Sequence, residues 1–152
     1  MRFEEAVNIV LGGGKYLHDS SKGEIKGGLV AVMFNEDSNI TGILSRLNQM
    51  GVYLALNNAP NNVIIGGTYD MIKSAIDYIR GEGLVARPIS KIEGPFHTVY
   101  VKESADQVIP LLTSTHFSDA VIPVYANTSA QEIIHAEQFR AESYKQMFMP
   151  VK

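Results

Sequence analysis

The sequence predicts an α+β protein built around a β-α-β-β-α-β unit. Short apolar runs of strand length alternate with segments that carry apolar residues at helical spacing. Two of the strand-like runs follow each other with only a turn between them, which is typical of a hairpin. At 152 residues the chain is of single-domain size and long enough to bury a core.

The N-terminal segment is predicted to be a short helix that precedes this unit. Residues 3–11 (FEEAVNIVL) place four apolar side chains on one face. They are Phe3, Ala6, Val7 and Val10. The glycine run at 12–14 is expected to break or strain the helix, because each glycine costs about 1 kcal/mol in a helix interior. A polar connection over residues 18–28 (HDSSKGEIKGG) should follow.

The first half of the unit is predicted to be a strand and a helix. LVAVMF, at 29–34, is an apolar run of strand length, and residues 39–51 form a helical pattern that Gly51 should end. The candidate N-cap residues are Asn35, Asp37 and Ser38. The predicted apolar stripe consists of Ile40, Ile43, Leu44 and Leu47.

The second half is predicted to be a hairpin, a helix and a last strand. VYLALNN (52–58) and NVIIGG (62–67) are strands joined by the turn sequence NAPN. TYDMIKSAIDYIRGEG (68–83) is a helix ended by its glycines, and LVARPIS (84–90) is the fourth strand. The residues expected to face inward are Met71, Ile72, Ala75, Ile76 and Ile79. This order is the split βαβ, or ferredoxin-like, pattern.

The remainder of the chain is predicted to begin with a turn and to end with a helix. The turn is GPFH at 94–97, and a helix near 101–114 follows it. A strand, IPVYAN at 122–127, and a terminal helix over 130–148 complete the prediction.

Composition excludes several functional classes. A formal net charge of −3 without a basic stripe argues against a nucleic-acid partner, and no apolar run is long enough for a membrane span. The absence of cysteine rules out disulfides and thiolate chemistry. Histidines 18, 116 and 135 are expected to be solvated, and no histidine pair shares metal-ligand spacing with a carboxylate, so no metal site is predicted. Without a targeting segment, a cytoplasmic location is the default expectation.

Five sequence stretches occur together in a characteristic order. They are GGLVAVMF, NNAPNNVIIGG, EGPFHT, FSDAVIPVYANTSA and YKQMFMPV. In these stretches the chain resembles the acyltransferase family typified by malonyl-CoA:acyl-carrier-protein transacylase, which includes the acyltransferase domains of polyketide synthases. The resemblance implies a ferredoxin-like small subdomain at 27–91, with residues 1–26 and 92–152 belonging to an α/β-hydrolase-like large subdomain.

The resemblance covers only part of such an enzyme. Members of the family carry a GHSxG nucleophile motif in a region that precedes the matching part, and no GxSxG occurs in this sequence. We therefore expect a truncated or excised chain, inactive for lack of the serine. Apolar faces normally covered by the large subdomain should then seek a partner through dimerisation, swapping or disorder.

The resemblance implies a catalytic role for His97. In the family, a serine takes an acyl group from a coenzyme A thioester and passes it to the phosphopantetheine thiol of an acyl carrier protein. No permanently bound cofactor is implied. His97 matches the general base that activates the serine, and Gln146 matches the residue whose main-chain carbonyl orients that base. The serines at 20, 21, 129 and 143 lie in no recognisable nucleophile elbow and do not replace the missing one.

The resemblance also indicates an acyl pocket with an unusual feature. Malonyl-selective members hold the substrate carboxylate with the arginine of an RGxxM motif, and here Gly13 stands at that arginine and Leu17 at the methionine. An unpaired buried carboxylate is costly, so an uncharged acyl group or a hydrolytic editing activity is indicated. Phe96, by contrast, matches a position where members that select malonyl over branched units often carry phenylalanine, and the alternative is that a bulky ring there only limits pocket size. Asn58 and Asn127 match asparagines near the family's active site, although asparagines in such places are more often turn or strand-end residues that bond their own backbone.

Three functions remain open from the sequence. The chain is part of a serine acyltransferase, or part of a related acyl hydrolase in which water accepts the acyl group. Alternatively, it is a non-catalytic module that docks a carrier protein.

Overall fold

The computed structural model describes residues 1–21 and 26–152. The elements in chain order are α1 (Phe3–Ser21), β1 (Gly27–Met33), α2 (Ile40–Gln49), β2 (Tyr53–Ala59), β3 (Asn62–Thr68), α3 (Tyr69–Gly81), β4 (Val85–Pro88), a 3-10 turn (Val99–Val101), α4 (Lys102–Asp106), α5 (Ile109–Ser114), β5 (Val124–Tyr125), β6 (Glu132–Ile133) and α6 (Ala136–Lys145). The predicted α+β class and the β-α-β-β-α-β order are confirmed.

The central sheet has four antiparallel strands in the order β2-β3-β1-β4. Side chains alternate between its two faces, as strand geometry requires. One face carries Val30, Val32 and Ile65, which form the main core with the apolar sides of α2 and α3. The opposite face carries Leu29 and Ile64, against which the segment after β4 packs. This second face brings residues 89–98 over the sheet.

The ends of α2 and α3 follow local chemistry. The N-cap of α2 is Asn39, whose Oδ1 accepts a hydrogen bond from the Gly42 amide at 3.0 Å. The predicted caps at Asn35, Asp37 and Ser38 are wrong, because the Ser38 hydroxyl instead accepts from the Asn35 amide within the preceding turn. Gly51, at a φ of +75°, follows the end of α2 as predicted.

The predicted inward face of α3 is largely confirmed. Ile72, Ala75 and Ile79 are buried, and Ile76 packs against the same core. Met71 is the exception, since it lies at the surface.

The predicted break at 12–14 is wrong, because α1 continues through these glycines to Ser21. An added Cβ at Gly12 would lie 2.9 Å from Leu111 Cδ2, and one at Gly13 would lie 3.4 Å from Met147 Cε. The glycines thus allow α1 to approach α5 and the end of α6 closely. This packing outweighs the low helix propensity of glycine. Of the predicted polar connection, residues 22–25 lie outside the described part of the chain.

The C-terminal part departs from the prediction in its boundaries. The helix expected over 101–114 is split into a 3-10 turn, α4 and α5, and Pro110 occupies the first turn of α5, where its missing N–H is tolerated. The strand expected at 122–127 shortens to β5, which pairs with β6. Because β6 takes up residues 132–133, the terminal helix begins only at Ala136. His135 is therefore the N-cap of α6, not a residue within a helix.

A second core joins the two ends of the chain. It contains the buried residues Val108, Leu112, Phe117 and Met147, and side chains of α1 and α6 pack against it. Within the described residues, no helix combines the length and apolarity needed to cross a bilayer.

Candidate active site

The turn after β4 holds His97 in a constrained backbone conformation. His97 has a φ of +58°, in the left-handed region, which costs an L-residue roughly 1–2 kcal/mol. The buried Thr98 hydroxyl donates to the Pro95 carbonyl, and Pro95 itself is buried against the start of β1. Backbone conformations of this kind persist where the surroundings enforce them, often at functional sites.

His97 is hydrogen-bonded to the end of α6. Its Nδ1 lies 2.7 Å from the main-chain oxygen of Gln146, 49 positions further along the chain. A carbonyl can only accept a hydrogen bond, so Nδ1 must carry the proton. In the neutral imidazole, Nε2 then holds the lone pair. The structure thus brings together the two residues for which a catalytic role was predicted.

Gln146 is itself held from the side of the sheet. Its Oε1 accepts a hydrogen bond from Asn127 Nδ2 at 3.3 Å, and the Asn127 carbonyl accepts from the Lys152 amide at 2.8 Å. The neighbouring Val151 pairs in parallel with Leu56 of β2. Asn127, predicted to bind substrate, therefore contacts the side chain of the residue that orients His97.

A cluster of polar and aromatic side chains ties α4 to α6 just before Gln146. Tyr144 donates its hydroxyl proton to Asp106, and Lys102 Nζ lies 3.0 Å from Asp106 Oδ1. These hydrogen bonds, with that of Tyr144 first, hold the pKa of Asp106 below its ordinary value. Asp106 in turn raises the pKa of Lys102. The cluster is half-exposed, so its contribution is to align the two helices more than to stabilise the fold.

A pocket of about 510 Å³ opens beside His97. Its apolar walls are formed by Leu17, Ile92, Phe96 and Met147. The predicted pocket residues Leu17 and Phe96 therefore lie together here. Gly13 is buried directly behind the wall, with its Cβ position 3.4 Å from Met147 Cε.

A second groove, of about 460 Å³, reaches His97 from another side. It runs between α2, β2 and the segment after α6, and its lining includes Asn48, Tyr53 and Phe148. His97 therefore lines two separate spaces.

Asn58 is not brought to either space. Its Nδ2 donates to Asn62 Oδ1 at 3.1 Å across the turn between β2 and β3. Asn58 thus has the turn role that the sequence indicated as the alternative to a place near the active site. Its part in substrate binding stays a prediction.

The described part of the chain places no serine in the pocket of about 510 Å³ beside His97. Ser45 lines the second groove, on α2, and it belongs to no nucleophile-elbow motif. Among the described residues, no group of three or more metal-ligating side chains occurs. The side chains of Ser20 and Ser21 lie outside the described part. Ser129 and Ser143 are half-buried elsewhere.

Met147 is the pocket residue that sequence reasoning missed. It stands directly after Gln146, but an apolar residue near a helix end carries no signal of its own in the sequence. Ile92 was missed because a single apolar residue in the segment after β4 carries no such signal either. The packing of α1 against the end of α6 reveals Met147 as a pocket wall, and the packing of the segment after β4 over the sheet reveals Ile92.

Comparison with known proteins gives a consistent set of neighbours, although no protein-family model matches the chain. The malonyl CoA-acyl carrier protein transacylase of Bacillus subtilis is 24% identical over 155 residues, which is 100% of this chain and 48% of that protein. The structure of the malonyl CoA-acyl carrier protein transacylase from Coxiella burnetii matches with a TM-score of 0.88 at 23% identity, over 99% of this chain and 48% of that one.

A third neighbour was solved with its partner. It is a type II polyketide synthase acyl-carrier protein in complex with its malonyl-transacylase, and it matches with a TM-score of 0.87 at 23% identity, over 100% of this chain and 49% of that one. At this identity the structural likeness establishes the fold. The chain spans about half the length of the relatives it matches.

Proposed function

We propose that this chain, whose curated and structural neighbours identify the malonyl-CoA:acyl-carrier-protein transacylase family, supplies the general base of a serine acyltransferase. The observation that carries the proposal is the 2.7 Å contact between His97 Nδ1 and the Gln146 carbonyl. This contact presents Nε2 as a proton acceptor. The cavity beside the ring has the volume of a small-molecule site.

The reaction requires a serine from polypeptide other than these 152 residues, in which no GxSxG occurs. His97 Nε2 takes the hydroxyl proton while the serine oxygen attacks the carbonyl carbon of an acyl-coenzyme A thioester. The carbon–sulfur bond breaks, and the imidazolium returns the proton to the departing thiolate. The acyl group is then an ester of the serine, and free coenzyme A leaves.

The second half of the reaction repeats these steps in reverse. The phosphopantetheine thiol of an acyl carrier protein gives its proton to Nε2 and attacks the ester. The serine oxygen leaves and recovers the proton. Throughout, the Gln146 carbonyl accepts a hydrogen bond from the Nδ1–H group of His97 and stabilises the positive charge on the ring.

The experiment measures acyl transfer by this chain together with the serine-bearing polypeptide, as one continuous protein or as a complex. Radiolabelled acyl-CoA serves as donor and holo acyl carrier protein as acceptor. His97→Ala should lower the rate by roughly 10²–10⁴-fold, the usual contribution of a general base. Gln146→Ala should have a much smaller effect, because the contact to His97 uses the main-chain oxygen. His116→Ala is the matched control, since His116 is exposed and lies outside the pocket.

The same assay separates the alternatives. Free acyl acid in place of acyl carrier protein product would identify a hydrolase, and it would still require His97. A rate unchanged in His97→Ala would contradict the proposal and favour a docking module. The chain alone, mixed with acyl-CoA, should form no covalent adduct by mass spectrometry, so a stable acylated serine on it would also contradict the proposal.

A further inference from the structure

We propose that the pocket beside His97 selects an uncharged acyl chain, and that Met147 is the residue that sets this selection. The inference rests on the proposed function, because it names the substrate class of the same site. It depends on whether the walls of the pocket can accommodate a charged group at the end of the acyl chain.

The pocket offers an acyl chain apolar walls and keeps its charges at the rim. Leu17, Ile92, Phe96 and Met147 provide the walls, and Met147 is buried. The other lining residues include Lys91 and Glu93, which are of opposite sign, and His18, and all three are exposed. An acyl chain that ends in a methyl group gains from leaving water here. One that ends in a carboxylate must either lose hydration or stay at the rim.

Met147 makes the inner wall apolar, and Gly13 lies directly behind it. Gly13 has no side chain to offer, and the site where its Cβ would stand lies 3.4 Å from Met147 Cε. The methionine methyl group therefore fills the space that a longer side chain on α1 would need. Methionine is flexible and polarisable, so it can adapt to acyl chains of different shape.

The position of Met147 links the wall to the base. It follows Gln146 directly, and Gln146 holds His97 through its carbonyl. The acyl chain that contacts Met147 thus lies beside the imidazole that would activate the serine attacking its carbonyl carbon. A change at 147 should alter which acyl group is accepted, more than how fast a proton is moved.

The test uses the 152-residue chain and matched pairs of N-acetylcysteamine thioesters. Propionyl is compared with malonyl, and butanoyl with succinyl, so that in each pair a carboxylate replaces a terminal methyl. Binding is followed by NMR through the δ1-methyl signal of Ile92, which lines the same pocket and is present in the parent chain and in every variant. We expect each uncharged thioester to bind at least about tenfold more tightly than its charged partner. Each added methylene should tighten binding about fourfold, as expected for roughly 0.8 kcal/mol of apolar burial.

Two variants test the role of Met147. Met147→Lys should reverse the preference within each pair, because an ammonium group would then stand in the wall. Met149→Lys is the matched control, since Met149 is exposed two positions away and should leave the preference unchanged. Met147→Gln, which is neutral and less disruptive to the core, should reduce the preference without reversing it.

Three results would overturn the inference. They are malonyl binding as tightly as propionyl to the unaltered chain, no saturable shift with any thioester, or the same response to lysine at 149 as at 147. None of these results depends on proton transfer. If no acyl preference is found but His97→Ala loses most of its transfer rate, this inference alone is overturned. If the preference is found but His97→Ala keeps its transfer rate, the proposed function alone is overturned.

Discussion

Replacing Gly14 by alanine should stabilise the protein. Gly14 lies inside α1, and a Cβ added there would meet no atom of the described residues within 4 Å, so the substitution introduces no steric cost among them. Alanine is favoured over glycine in a helix interior by about 0.8–1.0 kcal/mol, largely because it restricts the unfolded chain. The free energy of unfolding should therefore rise by about 1 kcal/mol. For a chain of this size, that corresponds to a melting temperature about 2–4 °C higher.

Gly83 offers a control, because it differs from Gly14 in its backbone conformation and not in the space around it. An added Cβ at Gly83 also meets nothing within 4 Å in the part of the chain that the structure describes, but the φ of Gly83 is +75°. Gly83→Ala should therefore destabilise by about 1–2 kcal/mol. Gly12→Ala should raise the free energy of unfolding by less than Gly14→Ala does, because the Cβ at position 12 would lie 2.9 Å from Leu111 Cδ2.

The assay is urea denaturation followed by far-UV circular dichroism. Its readouts are the transition midpoint and the slope, compared among the three variants and the parent chain. We expect Gly14→Ala to raise the urea midpoint and Gly83→Ala to lower it. Destabilisation by Gly14→Ala would show that α1 does not continue through the glycines in solution, and the account of its packing would then fail.

Three further predictions concern single contacts. Asn39→Ala should lower the free energy of unfolding by about 1 kcal/mol, because α2 loses its N-cap, and an unchanged urea midpoint would contradict this. Tyr100→Phe should cost about 1 kcal/mol by the same measurement, because the hydroxyl donates to the Gly51 carbonyl at 2.8 Å. The third prediction concerns Asp106, whose pKa in the folded state is lowered by hydrogen bonds from Tyr144 and Lys102. The ionised carboxylate therefore stabilises the fold at pH values above its unfolded-state pKa, near 3.9. This stabilisation is lost as the pH falls through the folded-state pKa. The difference in urea midpoint between the parent and Asp106→Asn should therefore be constant near neutral pH and shrink below about pH 4, and a difference that stays the same down to acid pH would refute it.

The β-α-β-β-α-β unit could be predicted because its signals are local. Each strand is an apolar run between turn residues, and each helix carries a stripe at helical spacing, such as Ile43 and Leu47 in α2. Two helix ends are marked by glycines with positive φ, Gly51 and Gly83. Such features depend on neighbours a few residues away, so they can be read without knowing the fold. The resemblance in short motifs added His97 and Gln146 as candidates.

What only the tertiary structure decided depends on contacts between distant segments. The continuation of α1 through its glycines depends on Leu111 and Met147, which lie about a hundred or more residues away. The orientation of His97 depends on a carbonyl 49 positions away, and Met147 becomes a pocket wall only because α1 packs against the end of α6. The free energies of these contacts arise from close packing and hydrogen bonding between segments, and local periodicity contains no information about either.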